Sequence, residues 1–563
     1  MKEEIKKFFK GDAEDDEATL QKYSHDASLL RVRPQLVLFP LDSEDVKNLV
    51  KWVADNKEKY PNLSITARCA GTDMTGGAIG ESIILDFTRY MNKLIGGPLP
   101  LKTKSVWEIV VQPGMFYRDF EKITLAKGLI LPCFTASKSL NAMGGMYGNN
   151  SAGERTLQHG QMENFILSAK IVLADGNEYL VKSLSKGEFE KKIKQEDFEG
   201  SVYKNIFSLI QDNQKEIAQA RPKVSKNSAG YYVWNVIGSE RSEKYFDLNK
   251  LFVGSQGTLG IATEMTLKLI PENKHSKLAV VFIKNLEPLG RLVNEILTLH
   301  PETLETYDDK SMKLAVRFFP KFLKNKGFLG MLKFMWNFIP EFFMLLTGGF
   351  PKLIILAEFV GADEKIIDQK CRQFLEKIRD FNLKVHITKS EAEAEKYKDI
   401  RRESFELLRK KVKGMYTAPF IDDIIVRPEF LSKFLPELNE ILKKYKLVYS
   451  LAGHAGNGNF HIIPLMDFKR PDTAKIILEL GEQVYDLVLK YHGSISAEHN
   501  DGLIRTPYLT KMYGREIMEI FGKIKNIFDT KNIFNPGKKI AIPKMGGTKE
   551  YLANHILKEP VAF

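Results

Sequence analysis

Cys69-Ala70-Gly71-Thr72-Asp73-Met74-Thr75-Gly76-Gly77-Ala78-Ile79-Gly80 stands between two strand-like runs, Leu63 to Arg68 and Ser82 to Phe87. A glycine-rich loop after a strand invites a dinucleotide-binding reading. That fold, however, requires the loop to open a helix directly, with the pyrophosphate on the helix N-terminus. Here Ile83, Ile84 and Leu85 follow at once and read as a second strand, so the Rossmann reading is weak. A loop of small residues can instead present its backbone N–H groups as an anion-binding nest with no helix behind it. Ala70, Gly71, Thr72, Asp73, Thr75 and Gly76 are the candidate nest residues.

Two further loops share this character. Gly144-Gly145-Met146-Tyr147-Gly148-Asn149-Asn150-Ser151-Ala152-Gly153 offers Gly144, Gly145, Asn149, Ser151 and Gly153. Gly254-Ser255-Gln256-Gly257-Thr258-Leu259-Gly260-Ile261 offers Gly257, Gly260 and Ile261, and leads into the strand-like Ala262 to Ile270. Any one loop is explained as well by hairpin and bulge glycines. Three together suit one large phosphate-bearing cofactor.

Two C-terminal segments, Gly453-His454-Ala455-Gly456-Asn457-Gly458-Asn459-Phe460-His461 and Ser496-Ala497-Glu498-His499-Asn500-Asp501-Gly502, gather with His492 four of the ten histidines. A lone His in a Gly-rich loop is more often a turn or capping residue than a ligand. Here His454 and His461 bracket a Gly/Asn stretch that can bend the chain back, since both residue types tolerate positive φ. With Glu498 they form a candidate two-histidine, one-carboxylate metal site with an open position. His499 follows Glu498 directly, so on an extended segment it points the other way and is free to face a substrate.

These runs, with Val111-Gln112-Pro113-Gly114, Leu131-Pro132, Ala174-Asp175-Gly176 and Asn227-Ser228-Ala229-Gly230-Tyr231, resemble the FAD-linked oxidases of the vanillyl-alcohol oxidase/PCMH type. The histidine segments and Asn532-Ile533-Phe534-Asn535-Pro536-Gly537-Lys538 resemble the glycolate oxidase, D-lactate dehydrogenase and D-2-hydroxyglutarate dehydrogenase branch. The resemblance runs from about Leu30 to Ile540. It implies an α+β fold, with a two-part PCMH-type FAD domain, a mixed α/β (ferredoxin-like) substrate domain, and a C-terminal segment returning to the flavin. It adds Pro132 and Asn535 to the cofactor-binding residues and makes Arg401 the clamp for a substrate carboxylate, with Arg402 as the alternative one residue on. Non-covalent FAD and a divalent metal (Zn, Mn or Fe) are the implied cofactors, and His499 the implied base. The chain departs from the branch at Asn457, where Asp is usual, and at Asn500-Asp501, where Gly follows the Glu-His pair.

The resemblance implies oxidation of a 2-hydroxy acid to the 2-oxo acid, with electrons passing to a quinone or an electron-transfer protein. Three other readings stay open: an FAD-dependent non-redox transferase similar to alkyl-dihydroxyacetone-phosphate synthase, a membrane-associated flavin-binding protein without catalysis, and an alcohol outside the 2-hydroxy acids.

At 563 residues and 44% hydrophobic, the chain is large enough for several cores. The boundaries expected are an N-terminal extension 1–29, the FAD domain 30–272, the substrate domain 273–490 and the returning segment 491–563. Cys69, Cys133 and Cys371 are too few and too far apart for an iron–sulphur module or a disulfide framework. The N-terminus, with its acidic run Asp12 to Glu17, has no apolar segment to serve as a signal peptide, which points to a cytoplasmic protein. The net charge of +12 comes without a nucleic-acid module or a stacking platform, so no nucleic-acid partner is expected. It accompanies an apolar, aromatic stretch from Arg317 to Lys352, punctuated by Lys321, Lys324, Lys326 and Lys333. Lys333, Pro340 and Glu341 leave it short of the roughly 20 apolar residues of a membrane span. It reads as a peripheral anchor on an anionic inner membrane face, with a buried hairpin or an oligomer contact as the alternative.

Overall fold

The computed structural model describes residues 1–101, 106–239, 244–310, 351–411 and 414–558, with side chains of 402–411 excepted. Positions 317–350 of the expected membrane anchor, and the side chain of Arg402, lie outside the described residues. The chain divides into two units. Unit 1 comprises 1–153, 159–272 and 494–563, and unit 2 comprises 154–158 and 273–493.

Unit 1 contains two sheets among the described residues. The first orders β1 (Asp12–Glu14), β2 (Leu36–Phe39), β4 (Ile83–Asp86) and β3 (Ile65–Arg68), with β4 parallel to both β2 and β3. The first glycine loop therefore joins two adjacent parallel strands with no helix between them. β1 adds an antiparallel edge, Asp12 to Phe39 and Glu14 to Val37. Arg89 meets Asp12 at 2.7 Å and Glu14 at 2.6 Å and offsets their repulsion. Residues 1–29 accordingly belong to unit 1.

The helix Ser43–Asn56 places Val46, Leu49, Val50 and Val53 on one buried face, against Leu36, Leu38, Ile83 and Leu85. Its cap is Asp42, whose carboxylate accepts from Asp45 N, with Ser43 in the first turn. The second sheet orders β5 (Leu94–Pro100), β6 (Trp107–Val111), β10 (Ile261–Pro271), β8 (Ile166–Val172) and β9 (Glu178–Lys182), with β7 (Leu129–Ile130) also on β10. Strand β10 alternates buried and half-buried residues from Ile261 to Ile270, as a half-covered strand must.

Unit 2 is built on an antiparallel sheet ordered β14 (Lys384–Ile387), β11 (His275–Ile283), β13 (Leu353–Gly361), β12 (Thr303–Asp308), β17 (Val448–His454), β18 (Asn459–Met466) and β15 (Tyr416–Thr417), with β16 (Ile424–Ile425) on β18. Leu278, Val280, Tyr307, Ile354 and Leu356 on the sheet pack with Ala394 and Tyr397 of the helix Glu391–Lys411. Among the described residues no helix is long and apolar enough to cross a membrane.

Candidate flavin cradle and histidine site

The three glycine loops meet in unit 1. Gly254 N donates to Tyr147 O at 3.0 Å and Gln256 N to Gly148 O at 2.9 Å, which zips the third loop onto the second. The Gln256 side chain extends the join, since its Nε2 donates to Asn149 Oδ1 at 3.3 Å and its Oε1 accepts from Gly502 N at 2.9 Å. Asn535, fully buried, donates from Nδ2 to Gly77 O at 2.9 Å and Gln256 O at 2.7 Å, and accepts from Thr66 Oγ1 at 3.1 Å. Asn500 Nδ2 likewise reaches Asn149 O and Gly254 O. Of these pins only Asn535 is on the sequence-derived list. Gln256 and Asn500 carry no spacing signal, because their partners lie up to 351 residues away.

Inside this frame the first loop keeps a row of donors turned to no protein acceptor. The N–H groups of Ala70, Gly71, Thr72, Asp73 and Met74 are half-buried and donate to no acceptor among the described residues. The Asp73 carboxylate shapes the loop, accepting from Thr75 N at 3.1 Å, Gly77 N at 2.6 Å and Asn149 Nδ2 at 3.2 Å. Residues 70–74 are thus a nest that fits an anionic group such as a pyrophosphate. At the start of the helix Met143–Asn149, a Cβ on Gly145 would meet nothing within 4 Å, which leaves room for a ligand.

Other candidates are explained by packing. A Cβ on Gly153 would lie 2.0 Å from Phe134 O, one on Gly76 2.9 Å from Leu30, and one on Gly260 2.8 Å from Ile171. The Ile261 side chain sits in the core with Val172 and Phe534, so only its backbone can serve a ligand. Gly71 and Gly257 have positive φ, Ser151 N closes onto Met146 O, and Pro132 is buried just after β7. Burial pushes the Cys69 thiol up, so beside the first loop it stays neutral.

Beneath the cradle lies a set of buried charges that sequence reasoning missed. Lys539 pairs with Asp501 at 2.8 Å, both side chains 0% exposed, and also donates to Ser228 O and Gly230 O. Lys538 donates to Ile79 O at 2.7 Å, and burial pushes its pKa down to about 8 against the pull of Asp26, Glu81 and Asp73. Burial, then the neighbouring Asp73, raises Asp26 to about 7.

The histidine-site residues divide between the units. In unit 1, Ser228 N and Oγ and Gln161 Nε2 hold the Ser496 and Ala497 carbonyls. The next residue, Glu498, accepts from the fully buried Lys226 at 3.2 Å, and His499 follows, half-buried, with Nε2 3.9 Å from Glu498 Oε1. In unit 2, His454 ends β17 and His461 lies on β18, joined by the turn residues 455–458, with ring centroids 5.3 Å apart and planes at 84°. Each imidazole meets a buried carboxylate through Nδ1: His454 meets Glu305 Oε1 at 2.7 Å, and His461 meets Asp422 Oδ1 at 3.1 Å. Nδ1–H bonded to a carboxylate puts the ring lone pair on Nε2, the arrangement typical of metal-ligating histidines. Glu305 also pairs with Arg401. His492 stands apart, exposed at positive φ after the helix Thr473–Lys490, as a turn residue.

Two family models match successive parts of the chain: an FAD binding domain over residues 34–180, and the C-terminal domain of FAD linked oxidases over residues 272–539. The chain belongs to the FAD-linked oxidases. This FAD-linked oxidase is 25% identical, over 94% of its length, to D-2-hydroxyglutarate dehydrogenase of Haemophilus influenzae, and spans only 50% of that protein. It is 24% identical to the glycolate oxidase subunit GlcD of Bacillus subtilis over 92% of each chain. It is also 24% identical to the mitochondrial D-lactate dehydrogenase [cytochrome] 1 of Saccharomyces cerevisiae, covering 90% of this chain and 72% of that protein. Among solved structures, alkyldihydroxyacetonephosphate synthase superposes with a TM-score of 0.66 at 15% identity, over 95% of this chain and 85% of that one. For p-cresol methylhydroxylase the TM-score is 0.63 at 14% identity, over 94% of each chain. At those identities the likeness shows the fold alone, which is of the PCMH type.

Proposed function

We propose that this FAD-linked oxidase is a metal-assisted dehydrogenase that converts a 2-hydroxy acid to the 2-oxo acid, holding FAD non-covalently. The observation that carries the reading is the pair His454 and His461, each tied through Nδ1 to a buried carboxylate, with Arg401 on the carboxylate that serves His454. The names of the relatives, which include D-2-hydroxyglutarate, D-lactate and glycolate enzymes, support the substrate class. The nest of residues 70–74 and the space beside Gly145 support FAD as the group held.

When bound, FAD would supply the hydride acceptor for the substrate's Cα hydrogen, and a divalent metal would supply the Lewis acid for its hydroxyl. Arg401 grips the carboxylate of the hydroxy acid through its planar guanidinium. His454, His461 and Glu498 are the proposed metal ligands, and Zn, Mn and Fe all suit two imidazoles and a carboxylate. His499 takes the hydroxyl proton as the hydride leaves, so substrate loses two electrons and two hydrogens in balance. A quinone or an electron-transfer protein is the proposed final electron acceptor.

The test is anaerobic mixing of the FAD-loaded protein with D- and L-2-hydroxy acids while the flavin band near 450 nm is followed. Bleaching by one of them, lost on chelation and restored by metal, is the expected result. No bleaching by any acid with FAD bound would refute the reading.

A further inference from the structure

Three buried glutamates of unit 2 have a cation each: Glu305 on β12, Glu358 on β13, and Glu302 just before β12. Glu302 pairs with Arg155 at 3.7 Å, Glu358 with Lys398 at 2.7 Å, and Glu305 with Arg401. For the first two, charge compensation accounts for the pair, since an uncompensated buried carboxylate is costly. Glu305 differs from both. Its Oε2 faces Arg401, while its Oε1 meets His454 Nδ1 at 2.7 Å, with the Glu305 side chain 5% exposed and His454 6%. Glu305 sits mid-strand on β12, every residue of which is buried, and His454 ends the neighbouring β17. The backbone thus fixes both ends of the contact.

We infer that Glu305 is a shared positioning residue, one carboxylate that orients the metal-ligating His454 and the substrate-binding Arg401 together, so that metal affinity and substrate recognition are coupled through a single side chain. This rests on the proposed 2-hydroxy-acid dehydrogenase. Physically, the carboxylate on Nδ1 fixes the ring and makes Nε2 a stronger donor to a metal. On its other side it holds one edge of a guanidinium that has five donors, so the fork is oriented without being exhausted. Neither Glu305 nor the arrangement has a sequence signal, because 149 residues separate it from His454.

The test uses the full, FAD-loaded chain and its Glu305→Gln variant. Zn2+ and Mn2+ affinities are measured by competition with a chromophoric chelator, and KM and kcat by flavin reduction at saturating metal. Glu305→Gln is expected to weaken metal binding by about 10- to 100-fold, and to raise KM at saturating metal by about tenfold or more, while Glu302→Gln changes neither. A merely structural Glu305 would lower stability without moving the metal constant. Metal affinity within threefold of the parent, or an unchanged KM at saturating metal, would overturn the inference. If Glu305→Gln does not fold, Glu305→Asp keeps the charge but shortens the reach to His454, and unchanged metal affinity there overturns it equally. If the parent chain neither binds metal nor is reduced by any hydroxy acid, the dehydrogenase reading itself fails.

Discussion

Replacing Asn535 by Ala tests whether the cradle is held together by one side chain. Asn535 is 0% exposed, and its amide satisfies two backbone carbonyls, Gly77 O in the first loop and Gln256 O in the third, while accepting from the buried hydroxyl of Thr66. Removing it orphans three buried polar groups at about 1 kcal/mol or more each. Asn535 also has φ of 38°, in the left-handed region, where Ala is disfavoured relative to Asn by about 1 kcal/mol. The expected loss is therefore on the order of 4 kcal/mol. Of the four tryptophans, Trp52, Trp107 and Trp234 lie in unit 1, so urea unfolding of FAD-stripped protein followed by tryptophan fluorescence reports mainly on this unit. With a slope near 3 kcal/mol per molar urea, the midpoint falls by about 1 M or more, and FAD affinity falls with it. A shift below about 0.3 M with unchanged flavin affinity would show that the loops converge without Asn535, and would refute the reasoning.

The remaining predictions concern neighbouring residues. Asp501→Asn and Lys539→Met should each cost about 3–5 kcal/mol in urea unfolding, because each leaves a buried charge alone. The double variant should cost less than the sum by about 2 kcal/mol, and strict additivity would refute the pairing. Lys538, with a folded pKa near 8 against an ordinary 10.5, releases a proton in the native state that the unfolded chain keeps between those values. Unfolding free energy should therefore rise with pH from about 8 to 10.5, by up to about 3 kcal/mol, as the penalty carried below pH 8 is relieved. Lys538→Met should remove that rise, and a pH profile that keeps it would sink the assignment. Gly145→Ala should leave the apoprotein's Tm within about 2 °C yet weaken FAD at least tenfold if Gly145 lines the cofactor, whereas Gly153→Ala, whose Cβ would fall 2.0 Å from a carbonyl, should lower stability by several kcal/mol. Equal flavin affinity in Gly145→Ala would remove that glycine from the cradle.

Local pattern made much of the frame legible. Ile83 to Leu85 directly after the first glycine loop ruled for a second strand, and the strand-like run Ala262 to Ile270 is β10. Hidden were the groups whose meaning is set by distant partners. The role of Asp12 and Glu14 depends on Arg89, 75 or more residues away. Glu305 and Asp422 read as ordinary acids because the imidazoles they hold are 149 and 39 residues away. His492 shared the histidine-rich neighbourhood and yet is a turn residue, a distinction that backbone φ makes and composition does not. Gln256 and Asn500 gave no cue, since an amide that pins two loops looks in sequence like any other amide.

The order in which the chain is made also matters. Unit 1 is interrupted by the whole of unit 2, and Asn535 lies 458 residues after the Gly77 carbonyl that it holds. At about 5–20 residues per second on a ribosome, roughly 20–90 s separate the two. Throughout that interval the nascent first loop lacks its clasp, whereas by its end the whole of unit 2, which finishes at residue 493, has been made. Flavin capture is therefore expected late, as a step that closes synthesis rather than one that seeds folding, and a truncation shortly before Asn535 should leave a folded unit 2 attached to a chain unable to retain its cofactor.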